Sequence, residues 1–139
     1  MDNSHDFSYS TRKDKRKFMK KDILIFSRYY LPGYKAGGPI ESISLFVKKL
    51  KNYSNFSVFT SDRDFLDEFA YSNIKVNKWT ERENTQIFYI DSNINSIFVY
   101  IKFLFSLKKF STIYFTSLFD IKFTIIPIIL FKFIYKDKK

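Results

Sequence analysis

Four short apolar runs constrain this chain more than any other feature: Asp22-Ile23-Leu24-Ile25-Phe26-Ser27, Phe56-Ser57-Val58-Phe59-Thr60, Thr85-Gln86-Ile87-Phe88-Tyr89-Ile90 and Thr112-Ile113-Tyr114-Phe115-Thr116. The first is nearly continuous rather than cleanly alternating, the pattern of a strand buried on both faces in a parallel sheet, and the other three read as further strands. The stretches between them have helical periodicity. Pro39–Lys51 places Ile40, Ile43, Phe46, Val47 and Leu50 on one helical face. Pro39 suits the first helical position, where its missing N–H has no intrahelical partner, and Lys48 and Lys49 complement the dipole at the other end. Asn93–Lys109 reads as a second helix, and Leu118–Tyr135 as a third, strongly apolar one. Arg28–Gly38 is a loop, Asn52–Asn55 a turn, and Phe65–Asn84 irregular, with Ile74-Lys75-Val76 a candidate short strand. Strands alternating with helices predict an α/β fold, a partial Rossmann-like doubly wound domain with a mostly parallel sheet and right-handed crossovers. About four strands are expected, where such domains often have about six or more, so residues 22–139 read as an incomplete domain.

Length and composition narrow the chemistry. The 139 residues suit one domain. At 45% hydrophobic and 21% aromatic, the chain is too apolar to be disordered throughout. It has no cysteine, which excludes disulfides, thiolate catalysis and Cys-ligated metals. Its one histidine, His5, lies in a polar tail, which argues against a His-based triad, and a single histidine excludes a multi-His metal site within the chain. The richness in Phe, Tyr, Ile, Lys and Asn matches the bias of an AT-rich genome, so bulk aromaticity and the +10 net charge carry little functional weight. Clustering is more informative. Residues 1–21 hold seven Lys/Arg and three Asp, six of the seven between Arg12 and Lys20. They read as a basic, flexible leader that could be drawn to anionic headgroups, and without an apolar run they are not a secretory signal. Ile113–Tyr135 is interrupted by Asp120, Lys122 and Lys132, so it reads as a buried core helix rather than a span. A soluble chain, at most peripheral to a membrane, is expected.

The strongest chemical constellation is the first strand, its long loop and Gly37-Gly38 at a helix start. A helix N-terminus exposes unpaired N–H donors and the positive end of the macrodipole, and glycine lets an anion approach the backbone. The candidate donors are the amides of Gly37, Gly38, Ile40 and Glu41, with Lys35 and Arg28 adding charge. The glycine pair equally suits a plain turn into the helix. It is neither a Walker A sequence nor Gly-x-Gly-x-x-Gly, and Glu41 in the first turn opposes an anion. Asp62, Asp64, Asp67 and Glu68 have cation-binding chemistry, but a solvated acidic loop balanced by Arg63 is the expected reading, and no metal site is expected. Trp79 beside Lys78 and Arg82 reads as a partly buried anchor before it reads as a stacking platform.

Ile23–Ser61, with its Tyr34-Lys35-Ala36-Gly37-Gly38-Pro39 loop and Thr60-Ser61-Asp62-Arg63-Asp64, resembles the N-terminal domain of retaining, family-4-type bacterial glycosyltransferases, the group-1 enzymes of surface-polysaccharide assembly. Ile74–Trp79, Ile113–Thr124 and Pro127 extend the resemblance over nearly the whole chain beyond the leader. It implies the first half of the N-terminal domain of a GT-B fold, in which two Rossmann-like domains face each other across a cleft. The N-terminal domain of such an enzyme mainly holds the acceptor, and the other mainly holds the nucleotide-sugar donor. By the same resemblance Gly37, Gly38, Arg63 and Ser117 are substrate-binding candidates, and Lys35 joins them as the charge beside the glycine pair. Asp62 and Thr116 also sit at strand ends facing the cleft, although loop capping explains Asp62, Thr116 and Ser117 individually. No catalytic residue is assigned and no cofactor is expected.

The departures are as informative. An Arg-Gly-Glu-like segment and a donor domain with a Glu-x7-Glu-type motif are not in this sequence, and His5 cannot supply the acceptor-cleft histidine of some relatives. The expectation is therefore a fragment that, completed by a C-terminal domain, transfers sugar from a nucleotide-sugar donor to a glycan or lipid-linked acceptor, and that is inactive alone. It is expected in the cytoplasm, peripheral to the inner face of the membrane, with no specific nucleic-acid partner and with a tendency to self-associate. The alternative is a small basic non-enzymatic α/β protein that binds anionic membrane or nucleic acid through Arg12–Lys21.

Overall fold

The computed structural model describes residues 20–92 and 97–134. It is an α/β protein built on a five-stranded, mostly parallel mixed sheet. The strands are β1 (Lys21–Phe26), β2 (Ser54–Ser61), β3 (Trp79–Arg82), β4 (Thr85–Ile90) and β5 (Thr112–Phe115), in the order β3-β4-β2-β1-β5. The pairs β1–β2, β1–β5 and β2–β4 are parallel, and β3–β4 is antiparallel. The helices are α1 (Gly38–Leu50), α2 (Ile97–Phe105), continued by a 3-10 turn over Ser106–Lys109, and α3 (Ile126–Ile134), preceded by a π-helical turn over Ile121–Ile125.

The pleat divides the core in two. Ile25, Val58, Ile87 and Tyr89 point to the side where α1 places Ile43 and Val47. Leu24, Phe26, Phe59, Phe88 and Ile90 point the other way, against Tyr100, Phe103 and Leu104 of α2 and Phe123. Alternate side chains of each central strand are buried on opposite faces, which is why the sequence shows them as unbroken apolar runs. The second layer is aromatic: the Phe59 ring lies 4.3 Å from Phe103, 5.0 Å from Phe26 and 5.6 Å from Phe88. Rings at these separations add edge and offset-stacking energy to their area burial.

The structure departs from the sequence reading in several places. The sheet has five strands instead of four, because β3 lies inside the stretch expected to be irregular. It forms a hairpin with β4 through Glu83 and Asn84, both at positive φ (50° and 64°), the backbone shape that suits a two-residue hairpin turn. Ile74-Lys75-Val76 yields only a single parallel bridge, Val76 to Tyr89. Lys21 belongs to β1 rather than to the leader, of which residues 1–19 lie outside the described residues. The expected helix over 93–109 is α2 plus its 3-10 turn, with 93–96 outside the described residues.

The largest correction concerns the last segment, expected to be a buried core helix. Phe123, Thr124 and Pro127 are buried, but Ile128, Ile129 and Phe133 are 46%, 48% and 72% exposed. Nothing in the described chain covers that side. Among the described residues no helix is long and apolar enough to cross a membrane.

Candidate functional site

The parallel strands all end on one side of the sheet, and their following loops build an open crevice of about 870 Å³ there. Arg28 and Tyr29 enter it after β1, Ser61 and Arg63 after β2, Ser92 after β4, and Ser117, Asp120 and Lys122 after β5. A second depression runs beside β5, where Leu107, Phe110, Phe115 and Pro127 share the lining with Lys108, Ser111 and Thr112, and it is mostly apolar. The crevice brings more charged and hydroxyl side chains together, among them Arg28, Arg63, Asp120, Lys122, Ser61, Ser92 and Ser117.

The crevice wall is held by an ion pair. Asp62 is buried, and Arg63 grips it with two bonds: Nε donates to Oδ1 at 3.0 Å and a terminal N–H to Oδ2 at 3.2 Å. Ser92 Oγ donates to the same carboxylate at 2.7 Å. Burial opposes ionisation of Asp62, but the bonds from Arg63 and Ser92 outweigh it and hold the carboxyl below its usual range. The third Arg63 contact is a bond to the Glu68 carbonyl. Much of the guanidinium fork is therefore engaged within the chain, positioning the loop after β2.

Opposite this pair lies the segment after β5. Asp120 caps the helical turn by accepting from Phe123 N at 2.8 Å, and its other oxygen meets Arg28 at 3.4 Å. Thr124 Oγ1 donates to the Ser117 carbonyl, and Tyr100 OH to the Lys122 carbonyl, so the segment is anchored from within. Ser117 is exposed, and its Oγ accepts weakly from Phe119 N at 3.3 Å. Lys122 is half-buried. Burial lowers its pKa, with Arg63 and Arg28 acting in the same direction and Asp62 and Asp91 opposing.

The five candidate binding residues separate into two groups. Arg63 and Ser117 meet in the crevice. Lys35 does not: its ammonium pairs with Asp67 over a neighbouring depression shared with Pro32, Tyr34 and Tyr71. That contact raises the lysine's pKa. Gly37 and Gly38 line neither cavity. Gly37 caps α1 at φ 63°, a conformation that favours glycine. Its N–H donates to the Tyr34 carbonyl, and its own carbonyl accepts from Ile40 N and Glu41 N. Three of the four amides considered for an anion are thus donors within the chain, and the local geometry is that of a turn into a helix.

The acidic stretch is corrected too. Asp62 and Asp64 are both buried rather than solvated. Asp64 accepts from Tyr34 N at 2.7 Å, Lys35 N at 3.0 Å and Phe65 N at 2.8 Å. Burial works against its charge, but those amides keep its pKa low. Among the described residues no group of carboxylates and histidines is arranged to hold a metal ion. Trp79 is a half-buried anchor, 5.4 Å from Phe88 and 5.7 Å from Phe103, with the Lys109 ammonium 4.7 Å from its ring centre.

Sequence reasoning does not single out Asp120, Lys122, Ser61 or Ser92 as site residues. Asp120 carries a signal, an Asx residue placed just before an apolar helical run. Lys122 carries none, since it joins the site only through the β5 crossover. Comparison with protein-family models, with curated proteins and with solved structures finds no match to this chain.

Proposed function

We propose that the chain is the acceptor-side domain of a nucleotide-sugar-dependent glycosyltransferase, folded as part of a doubly wound, Rossmann-like unit. The observation that carries this reading is where the crevice lies. The chain runs from β1 through α1 to β2 on one side of β1, and from β4 through α2 to β5 on the other. Connections therefore diverge between β1 and β5, and the crevice opens at the carboxyl ends of those strands. In open α/β sheets that is where ligands bind. The resemblance of Ile23–Ser61 and of the segment after β5 to the glycosyltransferase domain supplies the chemistry.

In this role the crevice orients an acceptor hydroxyl. Ser117 and Ser61 offer hydroxyl partners, Arg28 and Lys122 offer charge, and the Asp62–Arg63 pair forms a fixed wall. The donor sugar arrives from a facing domain. When the glycosidic bond to the diphosphate breaks, negative charge develops on the leaving group, and preorganised cations on the cleft wall stabilise it. One wall of a cleft does not hold both reactants in line, so the described domain alone is expected to turn over no nucleotide sugar. We place the reaction at the cytoplasmic face of the membrane, with a glycan or lipid-linked acceptor.

The test is transfer of radiolabel from nucleotide sugars to a membrane extract by the purified chain, alone and with the polypeptide encoded by the DNA that follows the Lys139 codon. Label transfer only with both polypeptides supports the reading. Following DNA that encodes no donor domain, together with no transfer in either case, overturns it. Turnover by the chain alone overturns the expected inactivity.

A further inference from the structure

The two edges of the sheet are built differently. At one, β3 carries the exposed Glu81 and Arg82, charges of the kind that keep a free edge from pairing with another chain. At the other, β5 reads Thr112-Ile113-Tyr114-Phe115, with no charge and no proline, and among the described residues no strand lies beyond it. Thr116 N donates to the Phe26 carbonyl at 3.1 Å. Backbone direction alternates along a strand, so Thr112 and Tyr114 also turn their N–H and C=O toward β1, while Ile113 and Phe115 turn theirs outward.

Apolar surface flanks that edge on both faces of the sheet. On the α1 side Tyr114 stacks on Phe46, ring centres 6.1 Å apart, and both rings are partly exposed. On the other side Ile113 and Phe115 border the depression beside β5, about 510 Å³ in volume, with Pro127, Ile128 and Phe131 across from them. The exposed parts of Tyr114, Ile128, Ile129, Phe131 and Phe133 come to roughly 500 Å² per copy, taking about 200 Å² for a whole side chain of this size. Two such faces would bury about 1,000 Å², the small end of the range for specific, reversible contacts.

We propose that β5 pairs with β5 of a second copy, antiparallel about a two-fold axis normal to the sheet, joining two sheets into one. Such an axis keeps α1 on the same side in both copies, so only residues of matching pleat oppose each other. With Tyr114 on the axis, Ile113 of each copy faces Phe115 of the other, and every outward N–H and C=O of both strands finds a partner. With Ile113 on the axis, Phe115 would face Ser111, whose N–H already donates to the Asp22 carbonyl. Antiparallel pairing also keeps the exposed Lys108 and Lys109 apart from the same lysines of the other copy, which parallel pairing would bring together. The contact is isologous and closes at two copies. It uses no crevice residue and does not rest on the glycosyltransferase reading.

The chain has no cysteine, so a single one reports on the axis. Tyr114→Cys sets two thiols opposite each other in a non-hydrogen-bonded pair, with about 4.5 Å between Cα atoms, and oxidised glutathione should link the full chain as a covalent dimer. Thr112→Cys lies about 13 Å from its symmetry mate and should remain unlinked on a denaturing gel. Sedimentation equilibrium supplies the second reading, with the wild-type chain expected in a monomer–dimer equilibrium. Tyr114→Lys and Tyr114→Glu each set like charges on the axis and should weaken the pair about tenfold, while an equal mixture of the two should recover the dimer. Unchanged far-ultraviolet circular dichroism is the folding control.

A wild-type chain that is monomeric at its highest soluble concentration would overturn the proposal, as would mass that grows past the dimer. Equal linkage of the two cysteine variants, or charged variants that dimerise like the wild type, would place the contact on another face and overturn it too. Folded charged variants whose mixture stays monomeric would do the same. A chain that is monomeric alone but pairs one to one with the polypeptide encoded after the Lys139 codon would give the edge to that partner instead.

Discussion

Asp64 ties together loops thirty residues apart. Three backbone N–H groups, those of Tyr34, Lys35 and Phe65, end on its carboxylate. Asp64→Ala leaves them without that acceptor in a buried setting and should lower stability by about 2–4 kcal/mol, read as a fall in denaturation midpoint. No change would mean that the β1–α1 loop is held by other contacts. The pH dependence has a definite sign. Asp62 and Asp64 have folded pKa values below the usual 3.8, so their contribution is present above that pH and is lost as pH falls through the lower folded values.

Beneath the same loop lies Gly33, where a Cβ would overlap Tyr71 Oη and sit 2.9 Å from Asp64 Oδ1. Tyr71 Oη is buried with no hydrogen-bond partner among the described residues. Removing it by Tyr71→Phe should be neutral or stabilising by up to about 1 kcal/mol. Gly33→Ala should cost about 1–3 kcal/mol, and combining it with Tyr71→Phe should recover part of that loss. Equal costs for Gly33→Ala with and without Tyr71→Phe would show that Asp64, not the phenol, sets the limit.

Among the elements, β1, β2 and β4 were legible because strands covered on both faces must be apolar at most positions, whereas β5, an edge strand with Tyr114 half exposed, was legible from its run of β-branched and aromatic residues. β3 was not, since Trp-Thr-Glu-Arg is a short edge strand with only its first residue packed on the core, and Glu83-Asn84 lacks the glycine that usually announces such a turn. The α3 segment shows another limit. Its sequence says which residues are apolar but not whether anything covers them. The crevice divides in the same way: Arg63 and Ser117 could be read as strand-end residues, while Lys122 and Asp120 needed the crossover in place. Because Ile129 and Phe133 are exposed, the chain should self-associate, with sedimentation showing mass rising with concentration. Ile129→Gln with Phe133→Gln should shift that distribution toward monomer and change stability by no more than about 0.5 kcal/mol per site. A wild-type protein that sediments as a monomer at every concentration would refute this.

For the molecule as a whole, burial of phenols predicts a weakness at high pH. Burial raises the pKa of Tyr30 to about 12 from 10.0, and it also pushes those of Tyr71, Tyr89 and Tyr100 upward. These groups contribute stability that is complete below pH 10.0 and is lost as pH rises through the folded values. Melting temperature should therefore fall steadily above about pH 10, and tyrosinate absorbance should rise together with unfolding. A melting temperature that stays level to about pH 12 would contradict the burial of these side chains.

The position of Trp79 makes the molecule self-reporting. It is the only indole in the chain, on the sheet's antiparallel edge strand, against rings from β4 and α2 and beneath a lysine ammonium. Its fluorescence therefore reads the docking of one edge and one helix, while circular dichroism reads the whole backbone. Coincident curves from the two probes would show that the β3 edge unfolds with the parallel strands. An earlier indole transition would show that the edge detaches first, as an independently opening unit.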